Sequence, residues 1–265
     1  MSAPWNRVID AQGINNFRDY GGWRAADGGR VKTGLLLRSA HHARATTGDS
    51  ALLQSLGVSV VTDLRHPAEQ TEQPSAWLGT LDIPVIEEPD PDPRSDGRAP
   101  HSIALEKSDF SYAALRQFMI DHYAVMPYDP RLVALYRRYF RALADGSGAM
   151  LIHCAAGKDR TGILAALTHH LLGVHADDLM EDYLLTNTAA RIGERLPNIR
   201  RRMSAEHGRE IADEALLAVL RVEEPYLQNA WRAIDARSSS IRGYLADVLG
   251  VDAAAEARIR EKFLQ

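Results

Sequence analysis

The stretch AMLIHCAAGKDRTGILAALTHHLLG, residues 149–173, decides how the chain is read. Its first six residues are apolar or β-prone and short enough for a buried strand. Its last thirteen read as a helix closed by Gly173. Between them lies the tight loop AAGKD, entered by Cys154, the one cysteine in 265 residues. A strand that delivers a loop into a helix start aims backbone N–H groups and the positive helix end at one point. Such a loop binds an anion before any side chain is counted.

The side chains add chemistry. A helix N-terminus and a nearby cation lower a thiol's pKa from its usual value of about 8.5, making Cys154 a candidate nucleophile. Arg160, six positions on, can fold back across the loop, and its planar fork suits two phosphate oxygens. Thr161 can donate its hydroxyl to the thiolate or to the departing oxygen. The amides of Ala155, Ala156, Gly157 and Lys158, with Arg160, would hold the phosphate. His153 would face away from substrate and fix the thiolate through neighbouring backbone. His, Cys, Gly, Arg and Thr at these spacings arise by chance on the order of once in 10⁴. A nucleotide-binding Gly-Lys-Ser/Thr loop is excluded, because Asp159 follows Lys158. The bland alternative for Cys154 is a small buried hydrophobe. It leaves the crowding of Lys158, Asp159 and Arg160 unexplained.

Working outward, LLLRS (35–39) reads as a strand end, SALLQSLG as a short helix and VSVVTDL (58–64) as a buried parallel strand. LDIPVIE (81–87) is a weaker strand interrupted by Pro84. PDPDPRSDGRAP (89–100) is a loop, either a solvated surface segment or an active-site flap. Helices are predicted over about 102–124 and 130–145, the second with an apolar stripe of Leu132, Leu135, Tyr136, Tyr139, Phe140 and Leu143. Beyond residue 176 every segment reads as helix. The expected architecture is α/β: a central, mainly parallel sheet flanked by helices, a phosphate loop at one strand end and a helical C-terminal cap. No linker divides it, so 1–265 reads as a single domain, with 187–220 as a candidate helical lid.

Bulk composition narrows the function. A net charge of −4, with 45% hydrophobic and 25% charged residues, fits a globular chain and argues against a nucleic-acid binder. No apolar run reaches the length of a membrane span. The lone cysteine and the polar N-terminus suggest a cytoplasmic protein, with export without a cleaved signal as the alternative. No metal or other cofactor is implied by the motif.

HCAAGKDRTG matches the His-Cys-x5-Arg-Ser/Thr signature of cysteine-dependent phosphatases. With NFRDYGG (16–22), GLLLRSA (34–40), TDLRHPAE (62–69), EDYLLTN (181–187) and YLADVLGV (244–251) in the same order, the chain resembles the bacterial and fungal tyrosine phosphatase family that includes the mycobacterial secreted tyrosine phosphatase B. The resemblance implies Cys154 as nucleophile, Arg160 as phosphate clamp and no metal. It implies activity on phosphotyrosine, often on phosphoserine or phosphothreonine, and in some members on phosphoinositides.

The proton donor is less determined. Asp159 lies at the loop rim, where the leaving group departs, and the resemblance also points to it. Its bland role is an ion pair that shapes the loop. Asp63, at a strand end, is the runner-up, although it is better read as a brace paired with Arg65 or Arg38. Asp90, Asp92 and Asp129 are weaker candidates. Lys158 either attracts extra substrate charge or is simply solvated. Asn16 and Arg18 are expected to support the loop from beside it. Arg200, Arg201 and Arg202 form either a solvated face or the basic side of a lid. Two other classes compete: a silent phosphate-binding module and a sulfur-transfer domain.

Overall fold

The computed structural model describes residues 7–88 and 110–265. Five strands form one sheet: β1 (Arg18–Asp19), β2 (Leu36–Ser39), β3 (Val58–Asp63), β4 (Val85–Ile86) and β5 (Ala149–His153), in the order β1-β2-β5-β3-β4. Only β1–β2 is antiparallel; the other pairings are parallel. The central strand β5 thus carries Cys154 at its carboxyl end.

The side-chain alternation of a strand explains why both faces of the sheet are covered. Met150 and Ile152 of β5 enter one core with Leu36; Ala149 and Leu151 enter another with Leu37 and Val61. The second core is closed by helix α1 (Thr47–Ser55) and by Trp77, which is 1% exposed. The first is closed by α4 (Pro130–Asp145), whose predicted apolar stripe is buried from Leu132 to Leu143, and by α5 (Asp159–Leu171). Helix α5 is buried on nearly every side, as an all-round apolar helix must be.

Between them lie α2 (Pro67–Glu72) and α3 (Tyr112–Val125). The helices α6 (Ala176–Leu184), α7 (Thr186–Ala189), α8 (Ile192–Glu206), α9 (Asp213–Leu220), α10 (Glu224–Ser238) and α11 (Ala253–Phe263) make up the helical C-terminal third. A small core of Phe110, Leu115, Ile211, Ala215, Leu216 and Ala218 joins α3 to α9.

Three expectations change in detail. The strand predicted over 81–87 shrinks to Val85–Ile86: Pro84 has no N–H to give, and only its carbonyl bonds Val61 N (3.0 Å). The helix predicted over 102–124 is found at Tyr112–Val125; residues 102–109 and the loop 89–100, with Asp90 and Asp92, lie outside the described residues. Helix α5 starts at Asp159, so Asp159 and Arg160 belong to its first turn rather than to the loop. The short helix α2 went unread, although Pro67 at its first position and Glu69 at its third are ordinary helix-start signals.

Candidate active site

The loop after β5 is shaped by what grips its carbonyls. Ala155 O accepts from His41 N (3.2 Å). Asn16 Nδ2 donates to Ala156 O (3.1 Å) and Gly157 O (2.9 Å), and Arg38 Nη2 also donates to Gly157 O (3.1 Å). In a trans peptide the following N–H is antiparallel to the C=O. Three held carbonyls therefore turn the amides of Ala156, Gly157 and Lys158 the opposite way, as a group. Gly157 has φ +67, and a Cβ there would stand 2.2 Å from Ser39 O, so only glycine fits.

Behind this sits a buried charge cluster. Arg38 Nη1 donates to Asp182 Oδ2 (2.7 Å), and Arg18 donates to Asp182 Oδ1, Asp182 O and Thr186 Oγ1. Arg18 Nη1 also donates to the side-chain oxygen of Asn16. Two cations share one carboxylate, and burial and Arg38 bring the Arg18 guanidinium down to about 9. Burial pushes Asp182 up, but Arg18 and Arg38 outweigh it and hold it below the usual carboxylate range. Asn16 and Arg18 thus stand beside the loop, Asn16 in contact with it and Arg18 one bond behind.

Cys154 is 2% exposed and packs in the large core at the strand end. Arg160 and Tyr136 are its electrostatic neighbours. Arg160 is fixed by Glu69 of α2 through two bonds, Nη1–Oε2 (2.6 Å) and Nη2–Oε1 (2.9 Å), and donates to Leu64 O (3.1 Å). Burial lowers the Arg160 pKa, but Glu69, then Cys154 and Asp159, raise it well above the ordinary value. Glu69 itself is anchored by His66 N (2.7 Å). Tyr136 donates its hydroxyl to Arg160 O (2.9 Å).

Asp159 Oδ1 receives two donors, Lys158 Nζ (2.7 Å) and the Tyr123 hydroxyl (2.8 Å); Tyr183 in turn donates to the Tyr123 hydroxyl (2.8 Å). Burial raises the Asp159 carboxyl, but Lys158 and Tyr123 outweigh it and bring it below the usual range. Lys158, 6% exposed, is therefore not solvated; its ammonium is turned to Asp159.

The other expected residues fall into place as follows. Asp63 pairs with Arg65 through bonds of 2.9 and 2.7 Å and lies 3.7 Å from His153 Nε2; its partner is Arg65, not Arg38. His153 is 1% exposed and stacks on His42 with centroids 4.4 Å apart; its Nδ1 has no hydrogen-bond partner among the described residues. The buried Thr161 hydroxyl also has none there, and the expected bond to Cys154 is not formed. Asp129 caps α4 through Leu132 N (2.9 Å). Arg200 pairs with Asp213 and Arg202 with Glu206 on an exposed helix face. No group of three or more His, Cys, Asp or Glu among the described residues could hold a metal, and no described helix is long and apolar enough to cross a membrane.

Sequence reasoning missed Glu69, Asp182, Tyr123 and Tyr183 as members of the site. Glu69 and Asp182 sat within stretches that carried the resemblance, without an assigned role. Tyr183 lay in the same stretch as Asp182, likewise without a role, and Tyr123 gave no local signal.

The solved structure of P. aeruginosa TpbA aligns with 21% identity over 75% of this chain and 97% of that one, at a TM-score of 0.31. A Cupriavidus necator protein whose name assigns it to the tyrosine-protein phosphatases is 34% identical over 248 residues, 91% of this chain and 84% of that protein. The triple specificity protein phosphatase PtpB of Mycobacterium tuberculosis is 31% identical over 278 residues, 96% of this chain and 98% of its own. The model of the tyrosine phosphatase family matches residues 9–265, and the chain belongs to that family.

Proposed function

We propose that this phosphatase hydrolyses phosphate monoesters of proteins through a phosphocysteine intermediate, acting on phosphotyrosine and also on phosphoserine and phosphothreonine. One observation carries the reading: Cys154 follows the central strand and opens a loop whose carbonyls at 155–157 are all held by hydrogen bonds, with Arg160 locked by Glu69. Amides and a guanidinium facing one thiol suit a dianion with three equatorial oxygens.

In this scheme the Cys154 thiolate attacks phosphorus in line. The S–P bond forms as the ester P–O bond breaks, and Asp159 passes its proton to the leaving oxygen. Asp159 then accepts a proton from the attacking water, the S–P bond breaks and phosphate departs. In the free loop Asp159 is held low by Lys158 and Tyr123. A bound dianion nearby opposes this and favours the protonated acid. Asp63 is a poorer acid, since both its oxygens are committed to Arg65. The name of the mycobacterial relative, triple specificity, supports a substrate range wider than phosphotyrosine. A phosphoinositide substrate is the second reading. Lys158, spent on Asp159, gives it little support.

The test is a quenched-turnover experiment with phosphate-labelled phosphotyrosine peptide. The wild-type chain should carry label on Cys154 that is lost on iodine treatment. Cys154→Ser should hydrolyse nothing while still binding phosphate. Turnover by Cys154→Ser, or label on another residue, would overturn the scheme. A parallel panel of phosphoserine peptides, phosphothreonine peptides and phosphoinositide vesicles decides the range.

A further inference from the structure

We propose that Tyr123, itself held by Tyr183, is a positioning residue that fixes which oxygen of Asp159 carries the transferable proton. The inference rests on Asp159 being the acid of the proposed reaction.

Two donors converge on one carboxylate oxygen. Lys158 Nζ and the Tyr123 hydroxyl both point at Asp159 Oδ1, at 2.7 and 2.8 Å. An oxygen that already accepts two hydrogen bonds is a poor seat for a proton. The proton of the acid form therefore sits on Oδ2, which alone is left to face a leaving group. The direction of the chain is set at its far end. Tyr183 donates to the Tyr123 oxygen at 2.8 Å, so the Tyr123 hydrogen is free to point at Asp159 and not back at Tyr183. Both tyrosines are buried, at 0% and 1% exposure, and their rings pack edge to face at 6.3 Å. Burial keeps both phenols well above their ordinary pKa, so they remain donors throughout the working range.

The same contacts serve the return half of the reaction. When Oδ2 has given its proton to the leaving oxygen, the new charge spreads over both oxygens, and two donors already in place at Oδ1 stabilise it without rearrangement. The ionisable groups facing Asp159 are Lys158, His122, Tyr123, Arg160 and, more remotely, Tyr183. Tyr123 is the neutral one in direct contact, so removing its hydroxyl changes hydrogen bonding without changing charge.

The experiment compares Tyr123→Phe, Tyr183→Phe and Asp159→Asn with the wild-type chain on aryl phosphates of graded leaving-group pKa, across pH. Tyr123→Phe should slow kcat with poor leaving groups about ten-fold, as loss of one hydrogen bond to a charged group does, while p-nitrophenyl phosphate slows less. The basic limb of its pH profile should move upward, because the ionised acid has lost a donor. Tyr183→Phe should show both effects with the same sign and smaller size, and it carries the test alone if Tyr123→Phe does not fold. An unchanged leaving-group slope together with an unmoved basic limb, in whichever tyrosine variant folds, overturns the proposal. If Asp159→Asn steepens the slope in that same experiment, the acid assignment stands and only the positioning role falls. If Asp159→Asn leaves the slope unchanged, both fall.

Discussion

Glu69 and Arg160 face each other end to end, each oxygen of the carboxylate taken by a separate guanidinium nitrogen at 2.6 and 2.9 Å. The pair joins the first turn of α5 to the six-residue helix α2, 91 positions earlier in the chain. Its side chains are largely buried, at 12% and 18% exposure, so solvent screens it little. Glu69 also closes the start of α2 through His66 N, which fixes the carboxylate in turn. Under the proposed clamp role, the guanidinium is thus oriented before phosphate arrives, and little of the binding energy is lost to ordering it.

Glu69→Gln should therefore weaken the clamp without emptying the site. Phosphate inhibition should weaken and kcat/KM should fall by roughly ten- to a hundred-fold, with one charged pair lost and Arg160 free to swing. Steady-state kinetics with inorganic phosphate as inhibitor measures both. An unaltered phosphate inhibition constant would show that Glu69 merely caps α2.

Burial of histidines sets the acid side of stability. Desolvation pulls His42, His153 and His169 below the ordinary value, and His41 and His66 to about 4. An unfolded histidine takes up its proton near pH 6.5, whereas these resist it while folded. The unfolded state then binds more protons as pH drops below about 6.5, and stability falls with it. Asp182 adds a later loss. Its folded pKa lies below the unfolded one, so its contribution is whole above about pH 4 and vanishes as pH falls through the folded value. Urea denaturation from pH 7.5 to 4.5 should show a decline that begins near 6.5. A flat profile across that span would contradict the neutral, buried state of these rings.

The central charge cluster gives a sharper prediction. Asp182 is the shared anion of Arg18 and Arg38, all of them at most 1% exposed. Asp182→Asn leaves two buried guanidiniums with no counter-charge, a loss of about 3–5 kcal/mol for one broken buried pair. Thermal melting should drop strongly. What folded protein remains should bind phosphate poorly, because Arg38 holds Gly157 O.

How much of this was legible in the sequence depends on distance along the chain. Cys154, Gly157, Asp159 and Arg160 lie within seven residues, and local spacing was enough to group them as one candidate site. The stripe from Leu132 to Leu143 was legible because a half-buried helix repeats its apolar residues regularly. Glu69 was not, since α2 has six residues and no buried one, hence no stripe to announce it. Asp182 meets Arg38 across 144 positions, and Tyr123 meets Asp159 across 36. Nothing in a tyrosine's neighbours along the chain says whose carboxylate it will reach. Lys158 misled for a related reason. A lysine in a loop reads as solvated or as drawn to substrate charge, and only the fold shows that its ammonium is turned to the carboxylate beside it.

Asn16 separates backbone strain from hydrogen bonding at the loop. It sits at φ 53, a conformation asparagine tolerates better than most residues, and its amide donates to two loop carbonyls. Asn16→Gly keeps the conformation at no steric cost but deletes both donors and the oxygen that accepts from Arg18. Asn16→Ala deletes the same groups and adds left-handed strain of about 1 kcal/mol. If the donors shape the loop, both variants should lose phosphate affinity to the same extent, about ten-fold, and differ only in melting temperature. Isothermal titration with phosphate on Cys154→Ser backgrounds reads affinity apart from turnover. An Asn16→Gly chain that binds phosphate as tightly as its parent would mean that Arg38 alone suffices to hold Gly157 O, and that Asn16 is there for the turn.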